Sequence, residues 1–410
     1  MVFRHAAAML SSAQLPTDTR TATRDEGLDI LRGLAVLLVV LFHIQLRLPF
    51  ETTAIGRLMP REAFNVLFRS GYYAVILFFV VSGYLITTAS LRRWGDLGRV
   101  RPGPFYALRL ARIAPCLAAL LILLAGLHAL GVGGFVVSTV ALGRALFAAA
   151  TLHLNWLEAR TGYLPGAWDV LWSLSVEEGF YLLFPLVCRL PRRQARLAVL
   201  VLFIMAGPLA RVAFTDNEIW ADKSYLSGAD AIAFGCLAAL AHGRIAGDRR
   251  LARACLVLGA VLVAFVFVFR REAAALGLVA TGLNVTALAA GLALILAARR
   301  GRQGPRGVSA TRLVAPIRAL GRNSYEVYLC HMLVITPLAP RLAGLGPPDL
   351  AVPIGFAVLV LLSGGLGAIV ARGLSEPANR IIRGWLAPAT GCAVCRLDPP
   401  GMVSPHKPPK

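Results

Sequence analysis

Charge is scarce in this 410-residue sequence: 15% of residues are Asp, Glu, Lys or Arg, against 57% hydrophobic, and mean hydropathy is +0.69. A soluble core of this length needs far less apolar surface, so a soluble globular domain is excluded and a polytopic membrane protein expected. Acid is the scarcer sign, 21 residues against 42 Lys and Arg. The resulting net charge of +21 does not point to nucleic acid, because the basic residues fall in short clusters between apolar blocks, as the positive-inside rule expects of cytoplasmic loops. A disulfide framework is also missing. Cys116, Cys188, Cys236, Cys255 and Cys330 lie inside apolar blocks, where free cysteine behaves as a small hydrophobe. Cys392 and Cys395 form a lone CxxC in a basic, proline-rich tail, with no second pair or histidine at zinc spacing, so no metal site is expected. Residues 1–27 hold no apolar run of signal-peptide length and are expected to stay as a cytoplasmic tail.

What is present is a series of eleven apolar blocks, near residues 28–46, 72–91, 105–130, 134–152, 171–190, 195–214, 226–241, 251–269, 274–298, 324–339 and 351–371. If every block crossed the membrane, the cluster Arg189, Arg192, Arg193 and Arg196 would fall outside, against the charge rule. The block at 134–152 is the weakest, diluted by Ser138, Thr139, Gly143 and Arg144, and is expected to be re-entrant. The expected fold is therefore all-α: about ten transmembrane helices plus one re-entrant segment, with both termini cytoplasmic. Residues 28–379 form the membrane domain, and 380–410 a basic, proline-rich cytoplasmic tail.

The first block carries two residues foreign to lipid, Arg32 and His43. Eleven positions at 3.6 per turn leave them roughly 20° apart around the helix and about 16 Å apart along it, so both share one face. Two readings fit. The face lines a polar cavity crossing the membrane, or Arg32 snorkels to the headgroups while His43 makes a local interhelical hydrogen bond. Arg109 and Arg112, three apart at the start of the third block, lie at the same inner level as Arg32. Three planar guanidiniums there suit phosphate by paired hydrogen bonds, or serve as snorkelling anchors.

The stretch from His153 to Glu178 is aromatic and acidic and is expected outside. Trp156, Tyr163, Trp168 and Trp172 fit either an interfacial belt or stacking on a sugar. Glu177 and Glu178 suit a helix start, or serve as the carboxylate that orients His43. His331 falls at a depth comparable with His43, and Asp230 is either a cavity wall or a cap.

Several segments carry a resemblance: Leu28-Asp-Ile-Leu-Arg-Gly-Leu-Ala with His43; Phe78-Phe-Val-Val-Ser-Gly-Tyr-Leu-Ile86; Arg109 with Arg112 before Pro115; Trp172-Ser-Leu-Ser-Val-Glu-Glu-Gly-Phe-Tyr181; Ser324-Tyr-Glu-Val-Tyr-Leu-Cys-His331; and Glu376-Pro377. In this order they resemble the membrane-bound acyltransferase family 3. Two positions depart from its pattern: Gly179 stands where glutamine is usual, and Gly228 where arginine often precedes the aspartate. The resemblance implies a multi-pass protein of the cell's inner membrane. It would move an acyl group, commonly acetyl, from cytoplasmic acyl-coenzyme A to a hydroxyl of an extracytoplasmic glycan or lipid-linked saccharide. On this chain the catalytic candidates are His43, Glu177 and Glu178. The donor-binding candidates are Arg32, Arg109 and Arg112, and the acceptor or cavity candidates Trp172, Tyr181, Asp230 and His331. Direct transfer with His43 as general base is favoured over an acyl-histidine intermediate. A transporter or flippase of a lipid-linked sugar is the competing class, and it would require no coenzyme A phosphate site.

Overall fold

The computed structural model describes residues 25–299 and 314–389, and among them every regular element is a helix. The long elements are α1 (Glu26–Gln45), α2 (Gly71–Trp94), α3 (Pro102–Ala129), α4 (Leu142–Ala150), α5 (Leu154–Thr161), α6 (Trp172–Cys188) and α7 (Arg193–Ala213). They continue with α8 (Tyr225–Gly247), α9 (Arg249–Val268), α10 (Leu283–Ala298), α11 (Ala315–Arg322), α12 (Ser324–Ala343), α13 (Pro348–Val370) and α14 (Glu376–Ala389). Between α1 and α2 lies a further eight-residue helix, Arg61–Phe68, and shorter helical turns fill the other loops. Eight helices among the described residues are long and apolar enough to cross a bilayer.

Two further expected crossings correspond to α10, with 16 residues, and α12, with 20. The block at 274–298 starts later than its hydrophobicity suggests, because Gly277 and Gly282 adopt positive φ (70° and 68°) and α10 begins only at Leu283. The 134–152 block yields only the nine residues of α4, about 14 Å of helix, too short to span. At the other end, the first ten residues of the expected tail continue as α14, which packs on α3 after a π-helical turn at Ala371–Ser375. Residues 1–24, the Cys392–Cys395 pair and the rest of the tail lie outside the described residues.

Glycine sets how closely the helices approach. The most extensive pairing joins α2 to α8. A Cβ on Gly83 would overlap the Ile232 carbonyl, and one on Gly235 the Val80 carbonyl. Backbone meets backbone there, the small-residue packing that apolar bundles use without a hydrophobic drive between helices. The same occurs between α1 and α11, where Gly33 faces Ile317 O and Gly321 faces Asp29 O.

A buried ion pair ties α7 to α8. Arg211 Nη1 lies 2.8 Å from Asp230 Oδ2, with Arg211 3% and Asp230 0% exposed. Arg211 also donates to the Ser227 carbonyl. Gly207 and Gly282 make room, since a Cβ at the first would overlap the Asp230 carboxylate and at the second the Arg211 side chain.

Breaking such a pair from one side strands a charge, at about 3–5 kcal/mol. Asp230→Ala should therefore lower the unfolding temperature of the detergent-purified protein sharply, and an unchanged melt would show that the pair carries no stability. Gly321→Val should cost about 1–3 kcal/mol by forcing α1 and α11 apart. Folded yield measured by gel filtration checks it, and wild-type yield would refute it.

Candidate functional site

Five helices, α1, α2, α3, α6 and α12, surround a cavity of about 270 Å³. Arg32, Arg109 and Arg112 line it, with Ser82, Glu177, Glu178 and Tyr181. The three arginines thus come to one place, as the helical spacing predicts.

The carboxylates behave differently from the expectation. Glu178 Oε1 is 3.0 Å and Glu177 Oε1 3.7 Å from Arg109 Nη2. Both acids therefore face the guanidinium rather than His43. Nor do they cap α6: the helix starts at Trp172 with no acid in its first turn, which puts them a full turn deeper. The Arg109 guanidinium also stacks on the Tyr181 ring, 3.8 Å from its centroid. Ser82 bonds both Glu177 and the Tyr181 hydroxyl. With two acids on one guanidinium, Arg109 has little charge left for a phosphate. Arg32 and the exposed Arg112 carry the remaining positive lining.

Two polar atoms at the cavity lack protein partners. Ser324, 1% exposed, has a buried hydroxyl with no hydrogen bond, and Arg109 Nε is likewise unsatisfied. Buried unpaired groups of this kind carry a penalty unless a ligand or water meets them. A cavity that combines guanidiniums with an orphan hydroxyl fits a ligand with an anionic end and uncharged polar groups beside it.

His43 and His331 meet, with ring centroids 4.9 Å apart and His331 Nε2 3.3 Å from His43 Nδ1. Their tautomers follow from what can accept. His43 Nδ1 lies 2.9 Å from Val39 O and His331 Nδ1 2.6 Å from Tyr328 O. A carbonyl only accepts, so both Nδ1 atoms carry the proton. The lone pair of His331 Nε2 then faces His43 Nδ1–H, and His43 Nε2 is left with a lone pair of its own. The one Nδ1–H of His43 is thus shared, nearer to Val39 O at 2.9 Å than to His331 Nε2 at 3.3 Å.

Beyond this pair, near the C-terminal end of α1, Lys223 is held by Asp169 and lies 3.5 Å from Glu158 Oε2. Burial, with Asp169 beside it, pushes the Glu158 carboxyl up to about 9.

Two other candidates do not reach the cavity. Trp172 is core, stacked on Tyr72 (6.3 Å) and edge-on to Phe79 (6.1 Å). Asp230 is neither wall nor cap: Arg211 holds it, and Ser224 caps α8. Gly228, the departure noted above, sits against Val176 and Phe79 at 2.5 and 2.7 Å from a built Cβ, so an arginine has no room there. The guanidinium beside Asp230 comes from α7 instead. Ser82, Arg211, Ser324 and Tyr328 carried no role in the sequence reading, although three of them lie inside the quoted motifs.

No solved structure matches the chain. A Staphylococcus aureus (strain COL) protein named "Putative O-acetyltransferase" is 28% identical over 172 residues, 39% of this chain and 24% of the relative. The O-acetyltransferase OatA of Staphylococcus aureus (strain NCTC 8325) is 27% identical over 188 residues, 44% of this chain and 28% of the relative. The chain thus spans about a quarter of the length of these curated relatives. The family model described as an acyltransferase domain matches residues 25–372, from the start of α1 through the end of α13. With most of the helical bundle inside that match, the chain belongs to this acyltransferase family.

Proposed function

We propose that the chain is a membrane-bound O-acyltransferase that moves an acyl group, acetyl by its relatives' names, from cytoplasmic acyl-coenzyme A to a hydroxyl of an extracytoplasmic glycan or lipid-linked saccharide. The reading includes ten crossings, with both termini in the cytoplasm and the protein in the inner membrane. The observation that carries it is the tautomer of His43: a base with a free Nε2 lone pair, about 16 Å along α1 from Arg32, which lines a guanidinium-rich cavity.

In this mechanism Arg112 and Arg32 hold the donor's phosphates and Ser324 takes a polar group of its arm. His43 Nε2 removes the acceptor hydroxyl's proton as the oxygen attacks the thioester carbonyl. The new C–O bond forms, the C–S bond breaks, and the leaving thiolate takes the proton back from the imidazolium. The single His43 Nδ1–H, shared between Val39 O and His331 Nε2, keeps the ring oriented, and the two acceptors stabilise the cation between these steps, the position a carboxylate takes in a serine-hydrolase triad. Glu177 and Glu178 act through Arg109, fixing the shape of the donor cavity.

Removing a general base costs about 10²–10⁴ in rate. His43→Ala should therefore lower transfer from labelled acetyl-coenzyme A to saccharide by that factor while the protein still inserts. Undiminished ester would remove His43 from the chemistry. Hydrogen bonds to charged groups contribute about 1.5–3 kcal/mol, so Arg112→Ala should raise the donor KM at least tenfold, and an unchanged KM would count against the phosphate clamp.

A further inference from the structure

The cavity stops short of the histidines. Its wall includes Phe78, Ser173, Tyr328 and Leu329, but neither His43 nor His331. Two rings form the wall on that side, Tyr328 against His331 and Phe78 against Tyr328. Tyr328 lies 5.9 Å from the His331 ring, and Phe78 meets Tyr328 edge-on at 6.0 Å and 74°.

The two rings are held very differently. The Tyr328 hydroxyl lies 3.1 Å from Val170 O and 2.7 Å from Ser173 Oγ, which itself lies 3.3 Å from Val170 O, so the two hydroxyls and the carbonyl form one network. It also packs where three apolar clusters meet. Phe78 has no polar atom and is only partly buried, on the seam between two of those clusters. Nothing but packing fixes its χ angles, so a rotamer change there breaks no hydrogen bond.

We propose that Phe78, turning against the fixed Tyr328, sets the length of acyl group admitted to His43. This rests on the reading that the donor enters at the arginines and reacts at His43. A thioester arriving from the cavity displaces one ring. An acetyl group passes within the space that one ring vacates. A longer chain also has to push Tyr328, and its two hydrogen bonds resist. Phe78 is thus a specificity-determining residue, with Tyr328 as its positioning partner.

The test compares acetyl-, butyryl- and hexanoyl-coenzyme A as donors for the purified full chain, with a saccharide acceptor. Wild type should favour acetyl. Phe78→Ala should shift the hexanoyl-to-acetyl ratio of kcat/KM at least tenfold toward hexanoyl, and Tyr328→Phe should shift it less, in the same direction. Phe78→Leu provides the same reading if the alanine variant does not fold, since it keeps most of the apolar volume without the ring. An unchanged ratio in a Phe78 variant that transfers acetyl overturns the proposal, as does a wild type that takes hexanoyl as readily as acetyl. A wild type that uses none of the three donors strikes instead at the acyltransferase reading beneath it.

Discussion

A charged group can stay inside an apolar helix bundle only with a partner, and that constraint organises this molecule. Arg109 is tolerated because Glu177, Glu178 and the face of Tyr181 surround it. Arg211 is tolerated because Asp230 meets it. The two pairs divide the work. The first borders a cavity and is only partly enclosed, while the second is sealed and joins α7 to α8. Polarity is then available to a ligand on one side of the bundle and spent on architecture on the other.

The pairing also explains what could be read from the sequence and what could not. Arg32, Arg109 and Arg112 could be brought together on paper because each sits on a helix of predictable period and level. His43 and His331 shared a depth for the same reason. The partners of Glu177, Glu178 and Asp230 could not be found this way. A carboxylate chooses among cations on other helices, and the choice depends on rotation and tilt that hydrophobicity alone does not carry. Trp172 shows the same limit: a tryptophan at a helix start suits a membrane interface, a sugar or a core equally, and packing against Tyr72 and Phe79 decides for the core.

Boundaries failed where the backbone, rather than composition, ends a helix. Gly277 and Gly282 interrupt an apolar run that reads as continuous, and the arrival of Arg211 beside Gly282 is a tertiary fact. The weak block at 134–152 was legible because its polar and glycine residues dilute it over a whole turn, and its helix is correspondingly short.

The seams at Gly83 with Gly235, and at Gly33 with Gly321, have one further consequence. Contacts made by bare main chain have no side chains to extend across a gap, so parting the helices by even a small distance forfeits a large part of the attraction. Such a bundle resists the rocking by which alternating-access carriers expose a site first to one side and then to the other.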